Sequence, residues 1–249
     1  MVNSQAEISE VFASIQGEGL FIGTMQLFIR FASEQKEVHT KTTRCDNTES
    51  GIFWLHTLPG KRNLKEKSPI TATKLFNELN RHFPLKQFFC ISMIGEEPLQ
   101  HADFLGIFLP MLRNDGLKTF LQTSAPSEKD FTKIFPLIDY LCLDLDIPRK
   151  EHNSDRDIKR LTSIIELTTP VETCLRLTVD AHENPQILLT RLARLPISQY
   201  TLILQPRMTG LSHISDWDTG TILEWINLFS PLFAHIRWIP QVHKLLRIP

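Results

Sequence analysis

The sequence predicts an α/β protein with a mainly parallel sheet. Short apolar segments alternate with segments of helical periodicity, which is typical of strands joined by crossover helices. The apolar segments are continuous, as in strands that are buried on both faces. Polar residues follow several predicted strands, at the carboxyl ends where α/β sheets bind ligands. These residues are Glu18, Asp46, Glu96, Glu97, Gln122, Asp144, Asp146 and Gln205.

Eight strands are predicted from their short apolar composition. They span residues 7–14, 25–32, 88–94, 118–122, 140–144, 174–179, 200–204 and 235–239. Between the first two, Ile15-Gln-Gly-Glu-Gly19 places two glycines around one acid. This pattern predicts a tight loop whose backbone can approach a ligand closely.

Six helices are predicted from apolar residues at helical spacing and from residues that end helices. They begin at Thr71 and cover, further along, residues 102–115, 127–135, 155–167, 185–195 and 216–229. The helix over 102–115 ends at Gly116, the residue type expected just past a helix C terminus. Residues 54–69 contain Pro59-Gly60 and a basic run, and they are predicted to be an exposed insertion. Residues 240–249 are predicted to be a short tail.

Composition and charge limit the classes of protein that the chain can represent. Its 249 residues are 42% hydrophobic and 22% charged, which suits one domain over residues 1–249. A formal net charge of −1 gives no broad attraction to nucleic acid or anionic membranes. No apolar segment approaches the roughly 20 residues that span a bilayer. The N terminus lacks a signal-peptide pattern, so we expect a cytoplasmic protein.

The four cysteines fall into two groups. Cys90, Cys142 and Cys174 lie in apolar segments predicted as strands, and we interpret them as buried small hydrophobic residues. Cys45 ends a long polar loop after the second strand, beside Asp46. No two cysteines form a Cys-x-x-Cys pair, and no small secreted disulfide framework is predicted.

Five segments share a family pattern. They are Glu10-Val-Phe-Ala-Ser-Ile-Gln-Gly-Glu-Gly19, Phe28-Ile-Arg-Phe31, Gly95-Glu-Glu-Pro-Leu99, Leu204-Gln-Pro206 and Pro240-Gln-Val-His-Lys-Leu-Leu246. In order and spacing they resemble the 7-carboxy-7-deazaguanine synthases over nearly the whole chain. The first and last segments are the most specific.

The resemblance implies a fold, a reaction and a set of cofactors. The fold is a partial (β/α) barrel of the radical S-adenosylmethionine type, usually paired as a homodimer. The reaction is that of a lyase that converts 6-carboxy-5,6,7,8-tetrahydropterin to 7-carboxy-7-deazaguanine on the route to queuosine. The cofactors are a [4Fe-4S] cluster, S-adenosylmethionine and Mg²⁺.

The substrate side of the family pattern is present. The resemblance assigns pterin binding to Gln16, Gly17, Glu18, Gly19, Arg30, His243 and the terminal carboxylate of Pro249. A carboxylate such as Glu18 suits the N–H and amino groups of a pterin edge. A guanidinium such as Arg30 suits a substrate carboxylate. A braced turn for Glu18, an ion pair for Arg30 and simple packing for His243 are the structural alternatives.

The cluster loop departs from the family pattern. The family places three cysteines there, because three irons take thiolates and the fourth iron binds S-adenosylmethionine. Here Glu34 and Thr42 stand at the first two positions, and Cys45 at the third. One thiolate cannot hold such a cluster, and a carboxylate suits it poorly. Glu34, His39, Cys45 and Asp46 have no spacing typical of another metal site.

Other departures from the family pattern affect residues that bind S-adenosylmethionine and magnesium in the family. The Gly-Gly-Glu-Pro motif that binds S-adenosylmethionine in the family is Gly95-Glu96-Glu97-Pro98 here, and the segment after the next strand begins at Gln122. The magnesium-binding threonine that follows Cys-Asp is replaced by Asn47, with Thr48 one position later. A degenerate cofactor site is therefore predicted, with no cofactor bound.

Three functions are compatible with this pattern. We favour a binding or regulatory protein that keeps a pterin or 7-deazapurine pocket but cannot carry out radical chemistry. The second is an active lyase with non-standard cluster ligation, for example by a dimer partner. The third is a cofactor-independent enzyme acting on a purine or pterin, with Glu18 and His243 as acid and base.

Overall fold

The computed structural model describes residues 4–32, 51–57, 63–147, 149, 154–169, 172–208, 217–246 and 248. Within these ranges the strands are β1 (Gln5–Ala6), β2 (Ile8–Ile15), β3 (Met25–Phe31), β4 (Ile52–His56), β5 (Leu64–Lys67), β6 (Ile70–Thr71), β7 (Ile91–Gly95), β8 (Thr119–Thr123), β9 (Tyr140–Asp144), β10 (Thr173–Val179), β11 (Thr201–Pro206) and β12 (His235–Trp238). The helices are α1 (Ala72–His82), α2 (Ala102–Asn114), α3 (Glu128–Ile134), α4 (Ser154–Glu166), α5 (Pro185–Leu192), α6 (Thr219–Phe229) and α7 (Val242–Leu246).

Ten strands form one sheet in the order β12-β11-β10-β9-β8-β7-β3-β2-β4-β5. Strands β3 and β7 to β12 are mutually parallel, joined by helices, as predicted. Strands β2 and β4 run in the opposite direction, because β2 is antiparallel to β3 and β4 is parallel to β2. The edge strand β5 is antiparallel to β4 and so runs in the same direction as β3. The two-residue strands β1 and β6 form a separate antiparallel pair.

Each predicted strand and helix corresponds to an observed element, and local sequence explains several boundaries. The hydroxyl of Thr71 accepts a hydrogen bond from the Lys74 backbone N–H and caps α1. Helix α2 ends just before Gly116, whose φ of +73° suits a glycine. The predicted tail additionally contains a short helix, α7. None of the described helices is long and apolar enough to cross a membrane.

The prediction of an exposed insertion over residues 54–69 was wrong where the structure describes this segment. Strands β4 and β5 pair there and extend the sheet beyond β2. Phe53 and Leu55 are fully buried and alternate with less buried residues, which is the two-residue period of a strand with one face in the core. The charges of β5 are typical of an edge strand, where lysine discourages further pairing.

The two faces of the ten-stranded sheet have different surroundings. One face packs against α1 to α6 and forms the main hydrophobic core. The opposite, inner face carries a smaller buried cluster of Cys90, Phe120, Cys142, Cys174, Ile203 and Ile239. The prediction that the three strand cysteines are buried is confirmed. Polar residues of the same inner face form the candidate site.

Candidate ligand-binding site

The loop between β2 and β3 reaches the inner face from an unexpected end. Because β2 is antiparallel to β3, its last residue Ile15 pairs with Met25, the first residue of β3. The loop therefore starts at the amino ends of the parallel strands. The prediction that Glu18 follows the carboxyl end of a parallel strand was wrong, because β2 runs in the opposite direction. Leu20 and Phe21 pack on the inner-face cluster and hold the loop there.

Gln16 braces this loop through its side chain. Its amide oxygen accepts a hydrogen bond from the backbone N–H of Glu18 at 3.1 Å, and its amide nitrogen donates to Gln26 Oε1 at 3.4 Å. Gln26 is itself buried and accepts a 2.5 Å hydrogen bond from the Ser92 hydroxyl on β7. The position of Glu18 is thus fixed by hydrogen bonds within the loop and to the sheet.

Gly17 allows the chain terminus to approach the loop. The Val242 backbone N–H donates to the Gly17 carbonyl at 3.2 Å, and a Cβ added at Gly17 would lie 2.6 Å from the backbone nitrogen of His243. Gly19 is needed for a different reason, since its φ of +70° lies in the left-handed region. Both glycines of the predicted motif therefore have structural roles beside Glu18.

The Glu18 carboxylate binds residues from two other parts of the chain. Oε2 accepts a hydrogen bond from Arg176 Nη1 on β10, and Oε1 accepts one from Gln241 Nε2 at 3.2 Å. His243 Nδ1 lies 3.5 Å from the same Oε1. The side chain of Glu18 is only 13% exposed, so these partners satisfy a largely buried charge.

Arg176 is the residue of this site that sequence reasoning missed. It pairs in register with Asp144 on β9, and Nε and Nη2 donate to the two Asp144 oxygens at 2.5 and 2.6 Å. Its side chain is 8% exposed. One feature of the sequence could have revealed it, because Arg176 is the single charge within the apolar strand Cys174-Leu-Arg-Leu. A buried charge in such a strand requires a partner.

The electrostatics of the cluster favour an ionised Glu18. Burial alone would raise its pKa, but the Arg176 charge, His243 and hydrogen bonds hold the pKa of Glu18 below its ordinary value. Burial raises the pKa of Asp144, even though Arg176 opposes this. Although burial alone would lower it, Asp144 and Glu18 hold the pKa of Arg176 well above its usual range.

His243 lies in α7 and faces Glu18 in a neutral form. Burial lowers its pKa from 6.5, and the nearby charges of Lys244, Arg30 and Arg176 add to this lowering against the opposing effect of Glu18. The Lys244 ammonium donates to the Met208 carbonyl at 3.0 Å, which ties α7 to the residues after β11. Arg30 is therefore close enough to His243 to influence its charge, and the predicted residues Glu18, Arg30 and His243 share one region.

Arg30 is the more accessible arginine of the inner face. It pairs with Glu10 across β2 and β3, with Nη1 2.7 Å from Glu10 Oε1, and its guanidinium lies 5.2 Å from the centre of the Phe12 ring. His56 Nε2 on β4 lies 3.4 Å from the other Glu10 oxygen. The Arg30 side chain is 25% exposed, so part of it can contact a ligand.

The predicted cofactor-binding residues lie at the ends of β7 and β8. Gly95 has a φ of +130° and fits closely against the Phe31 backbone, Glu96 is exposed, and Gln122 lies on the inner face of β8. Glu97 is buried before Pro98 and accepts hydrogen bonds from the Leu99 N–H at 3.1 Å and from the Ser124 N–H and hydroxyl at 2.9 Å. Glu97 therefore joins the ends of two strands, and a role in cofactor binding stays a prediction.

Several predicted site residues lie outside the described residues. They are Glu34, His39, Thr42, Cys45, Asp46, Asn47, Thr48 and Pro249. In the part of the chain that the structure describes, no group of three histidine, cysteine or acidic side chains could hold a metal ion.

The architecture is that of a curved, mostly parallel α/β sheet with a polar site on its inner face. The crystal structure of QueE from Escherichia coli has the same fold, with a TM-score of 0.54 over 93% of this chain and 92% of that chain at 18% identity. This confirms the predicted fold class, a partial (β/α) barrel. No family model matches the sequence.

Sequence similarity to known proteins indicates a more specific class of protein than the fold does. The chain is 27% identical to the 7-carboxy-7-deazaguanine synthase of Geobacter sulfurreducens over 97% of each chain. It is 28% identical to that of Methanopyrus kandleri, over 96% of this chain and 92% of the relative. It is 31% identical to that of Methanothermobacter thermautotrophicus, over 68% of this chain and 60% of the relative. The chain thus resembles the 7-carboxy-7-deazaguanine synthases along nearly its whole length, as predicted.

Proposed function

We propose that this chain is a divergent member of the 7-carboxy-7-deazaguanine synthase family that binds a pterin or 7-deazapurine without carrying out radical chemistry. The observation that supports binding is the ionised, largely buried Glu18 carboxylate, held by Arg176 and Gln241 beside His243. The homodimer implied by the resemblance and the cytoplasmic location expected from the N-terminal sequence remain predictions.

The site suits the two kinds of group that such ligands present. A carboxylate oxygen can accept more than one hydrogen bond, so Glu18 can take a ring N–H or an amino group in addition to its present donors. Arg30 is partly exposed near His243 and can bind a ligand carboxylate through its remaining N–H groups. The neutral His243 imidazole adds a group that can both donate and accept a hydrogen bond.

The available thiols support a binding role over radical catalysis. A cluster of the radical S-adenosylmethionine type takes three thiolates and leaves the fourth iron open. Residues 33–50 contain Cys45 as their only cysteine, and Cys90, Cys142 and Cys174 are buried on the inner face of the sheet. This donor set does not fit the cluster, so no radical step is assigned to the chain.

The residues expected around S-adenosylmethionine support the same proposal. Glu96 places an exposed carboxylate where the family has a second glycine, next to the close contact between Gly95 and the Phe31 backbone. Glu97 uses its carboxylate to bind Thr123 and Ser124. The Glu96 side chain adds bulk at a position where the family glycine lets the backbone approach a ligand closely.

Ligand binding is tested by thermal unfolding with pterin-6-carboxylate and 7-carboxy-7-deazaguanine. A ligand at 100 times its Kd stabilises the folded protein by about 2.7 kcal/mol, which a clear rise in Tm would report. Glu18→Gln keeps the shape of the side chain but loses its charge, and it should abolish the rise. The absence of stabilisation by either compound in the unaltered protein would contradict the proposal.

The absence of radical chemistry is tested by anaerobic reconstitution with iron and sulfide. We expect far fewer than the roughly four irons per chain of a [4Fe-4S] cluster, and no cleavage of S-adenosylmethionine. The similarity to 7-carboxy-7-deazaguanine synthases favours the alternative, an active lyase. Stoichiometric iron together with cleavage of S-adenosylmethionine would establish that alternative.

A further inference from the structure

Cys142 and Cys174 form a pair of thiols on the inner face of the sheet. They lie directly opposite each other in the register of the parallel strands β9 and β10. Both side chains are buried in the smaller cluster of the inner face, and their thiols are hydrogen-bonded to each other. The sheet therefore holds the two sulfurs as neighbours.

The spacing of paired strands suits a disulfide bond between these two residues. Neighbouring strands lie about 4.8 Å apart, and the Cα atoms joined by a disulfide lie about 4.4–6.8 Å apart. The two Cβ atoms must approach each other slightly, because a disulfide brings them to about 3.8 Å. A bond formed under such strain is more easily reduced, so a disulfide here would be reversible.

The loop that carries Glu18 lies against Cys174. The backbone N–H of Leu20 donates a hydrogen bond to the Cys174 sulfur, and a Cβ added at Gly19 would lie 3.6 Å from Cys174 Sγ. The next inner-face residue of β10 is Arg176, which binds the Glu18 carboxylate. A displacement of the Cys174 sulfur would therefore act directly on this loop.

The two thiols differ in reactivity. The hydrogen bond from the Cys142 thiol holds the pKa of Cys174 below its ordinary value against the effect of burial, and the Leu20 N–H and the Arg176 charge add to this lowering. The same hydrogen bond and burial raise the pKa of Cys142 well above its ordinary value. Because the thiolate is the nucleophilic form of cysteine, Cys174 is the thiol that reacts first.

We infer that hydrogen peroxide converts Cys142 and Cys174 to a disulfide that loosens the loop carrying Glu18. Peroxide is a small oxidant, which suits a buried pair of thiols. The Cys174 thiolate attacks one peroxide oxygen, the O–O bond breaks, and the departing hydroxide combines with the proton that Cys174 released. The product is a sulfenic acid at Cys174 and one water.

Cys142 completes the reaction. Its thiol loses a proton and attacks the Cys174 sulfur, so that the S–S bond forms and the S–O bond breaks. The departing hydroxide takes the proton and leaves as a second water. In total, two electrons pass from the two thiols to the peroxide.

The disulfide weakens the contact between Cys174 and the loop. The Cys174 sulfur must turn towards Cys142, and a neutral bridging sulfur accepts a hydrogen bond from the Leu20 N–H less well than a thiolate does. The loop should then open more often and exchange its amide hydrogens faster. Weaker ligand binding through Glu18 would follow, and this last consequence alone rests on the proposed function.

The test treats the folded, reduced protein with hydrogen peroxide and requires no ligand. Thiols are counted with a maleimide after unfolding in urea, and linked peptides are mapped by mass spectrometry. We expect two of the four cysteines to become unreactive, as one linked pair of Cys142 and Cys174, and to be recovered with dithiothreitol. Hydrogen–deuterium exchange of residues 16–22 should become roughly 5-fold faster on oxidation and return on reduction.

Three serine variants locate the reaction. Cys142→Ser should form no linked pair. Cys90→Ser is the matched control, because Cys90 is buried in the same cluster but lies beside the Ser92 hydroxyl at 3.4 Å, and burial raises its pKa to about 12. Cys45→Ser tests exchange with the remaining cysteine. Both Cys90→Ser and Cys45→Ser should still lose two thiols, and circular dichroism verifies the fold of each variant.

The outcomes are distinct from those that test ligand binding. Four reactive thiols after peroxide treatment, or a linked pair that includes Cys45 or Cys90, would overturn the inference. A Cys142–Cys174 link without faster exchange of residues 16–22 would refute the loosening of the loop. Peptide mapping of the unaltered protein decides even if a variant fails to fold, and a failure of pterin binding leaves these results unchanged.

Discussion

Arg176 and Arg30 occupy the same face of one sheet but differ in their surroundings. Each pairs in register with an acid on the neighbouring strand, Arg176 with Asp144 and Arg30 with Glu10. The Arg176 side chain is 8% exposed and binds two carboxylates, whereas the Arg30 side chain is 25% exposed and binds one. The comparison shows how position on the sheet changes what one residue type does.

Burial explains the difference between the two arginines. Arg176 lies in the middle of the parallel strands, where its charge requires complete compensation, so it is part of the fold as well as of the site. Arg30 lies near the strands β2, β4 and β5, where solvent screens its charge. Its guanidinium also lies against Phe12. Replacing the contact with Glu10 by a contact with a ligand should therefore cost Arg30 less free energy than a similar exchange would cost Arg176.

The largest predicted effect follows from making the same substitution at both arginines. Arg176→Leu leaves the buried Glu18 and Asp144 carboxylates without their cation, and the free energy of unfolding should fall by about 3–5 kcal/mol. Arg30→Leu should cost about 1–2 kcal/mol, because Glu10 keeps its contact with His56. Urea denaturation measures both. Equal losses for the two variants would refute the distinction between the arginines.

An intermediate effect is predicted for Gly17→Ala, which alters the packing of α7 beside Glu18. The new Cβ would meet the backbone of His243, so α7 must shift away from Glu18. Overpacking of this kind costs about 1–3 kcal/mol. Weaker ligand binding should accompany the loss of stability.

Gly106→Ala is the matched control for that substitution. A Cβ at Gly106 in α2 meets only the flexible end of Lys133, and alanine is favoured over glycine inside a helix by about 1 kcal/mol. The control should therefore be neutral or stabilising. A Gly17→Ala protein as stable as this control would show that α7 does not depend on the close approach.

The smallest predicted effect is the dependence of stability on pH through His243. Burial keeps the folded-state pKa of His243 below its ordinary value of 6.5. As the pH falls below that value, the unfolded chain takes up a proton that the folded chain does not, so the folded state loses stability. The contribution is complete above the unfolded pKa and is lost as the pH falls through the folded pKa.

His243→Gln removes this titration and tests its sign. Denaturation midpoints measured from neutral pH downwards should fall less steeply for the variant than for the unaltered protein. A variant profile parallel to that of the unaltered protein would mean that His243 titrates with its ordinary pKa.

Local sequence predicted most of the regular elements because their patterns are strong. The apolar segments of β7 to β12 and the helices between them follow from continuous burial and helical spacing. The charged strand β5 was missed because a basic run is usually solvated, and only pairing with β4 makes Leu64–Lys67 a strand. Local sequence patterns did not predict strand direction either. Nothing within Ile8–Ile15 indicates that β2 runs antiparallel to β3.

The sequence by itself determined the resemblance, the fold class and the residues Glu18, Arg30 and His243, because these lie in specific motifs. Only the tertiary structure joined Glu18 to Arg176 and Gln241, which are 158 and 223 residues away along the chain. It also placed the buried side chain of Gln205 beside Glu18. The physical reason is that a buried charge or amide costs free energy unless it is paired. Which partner it can pair with depends on the order of the strands and the path of the loops.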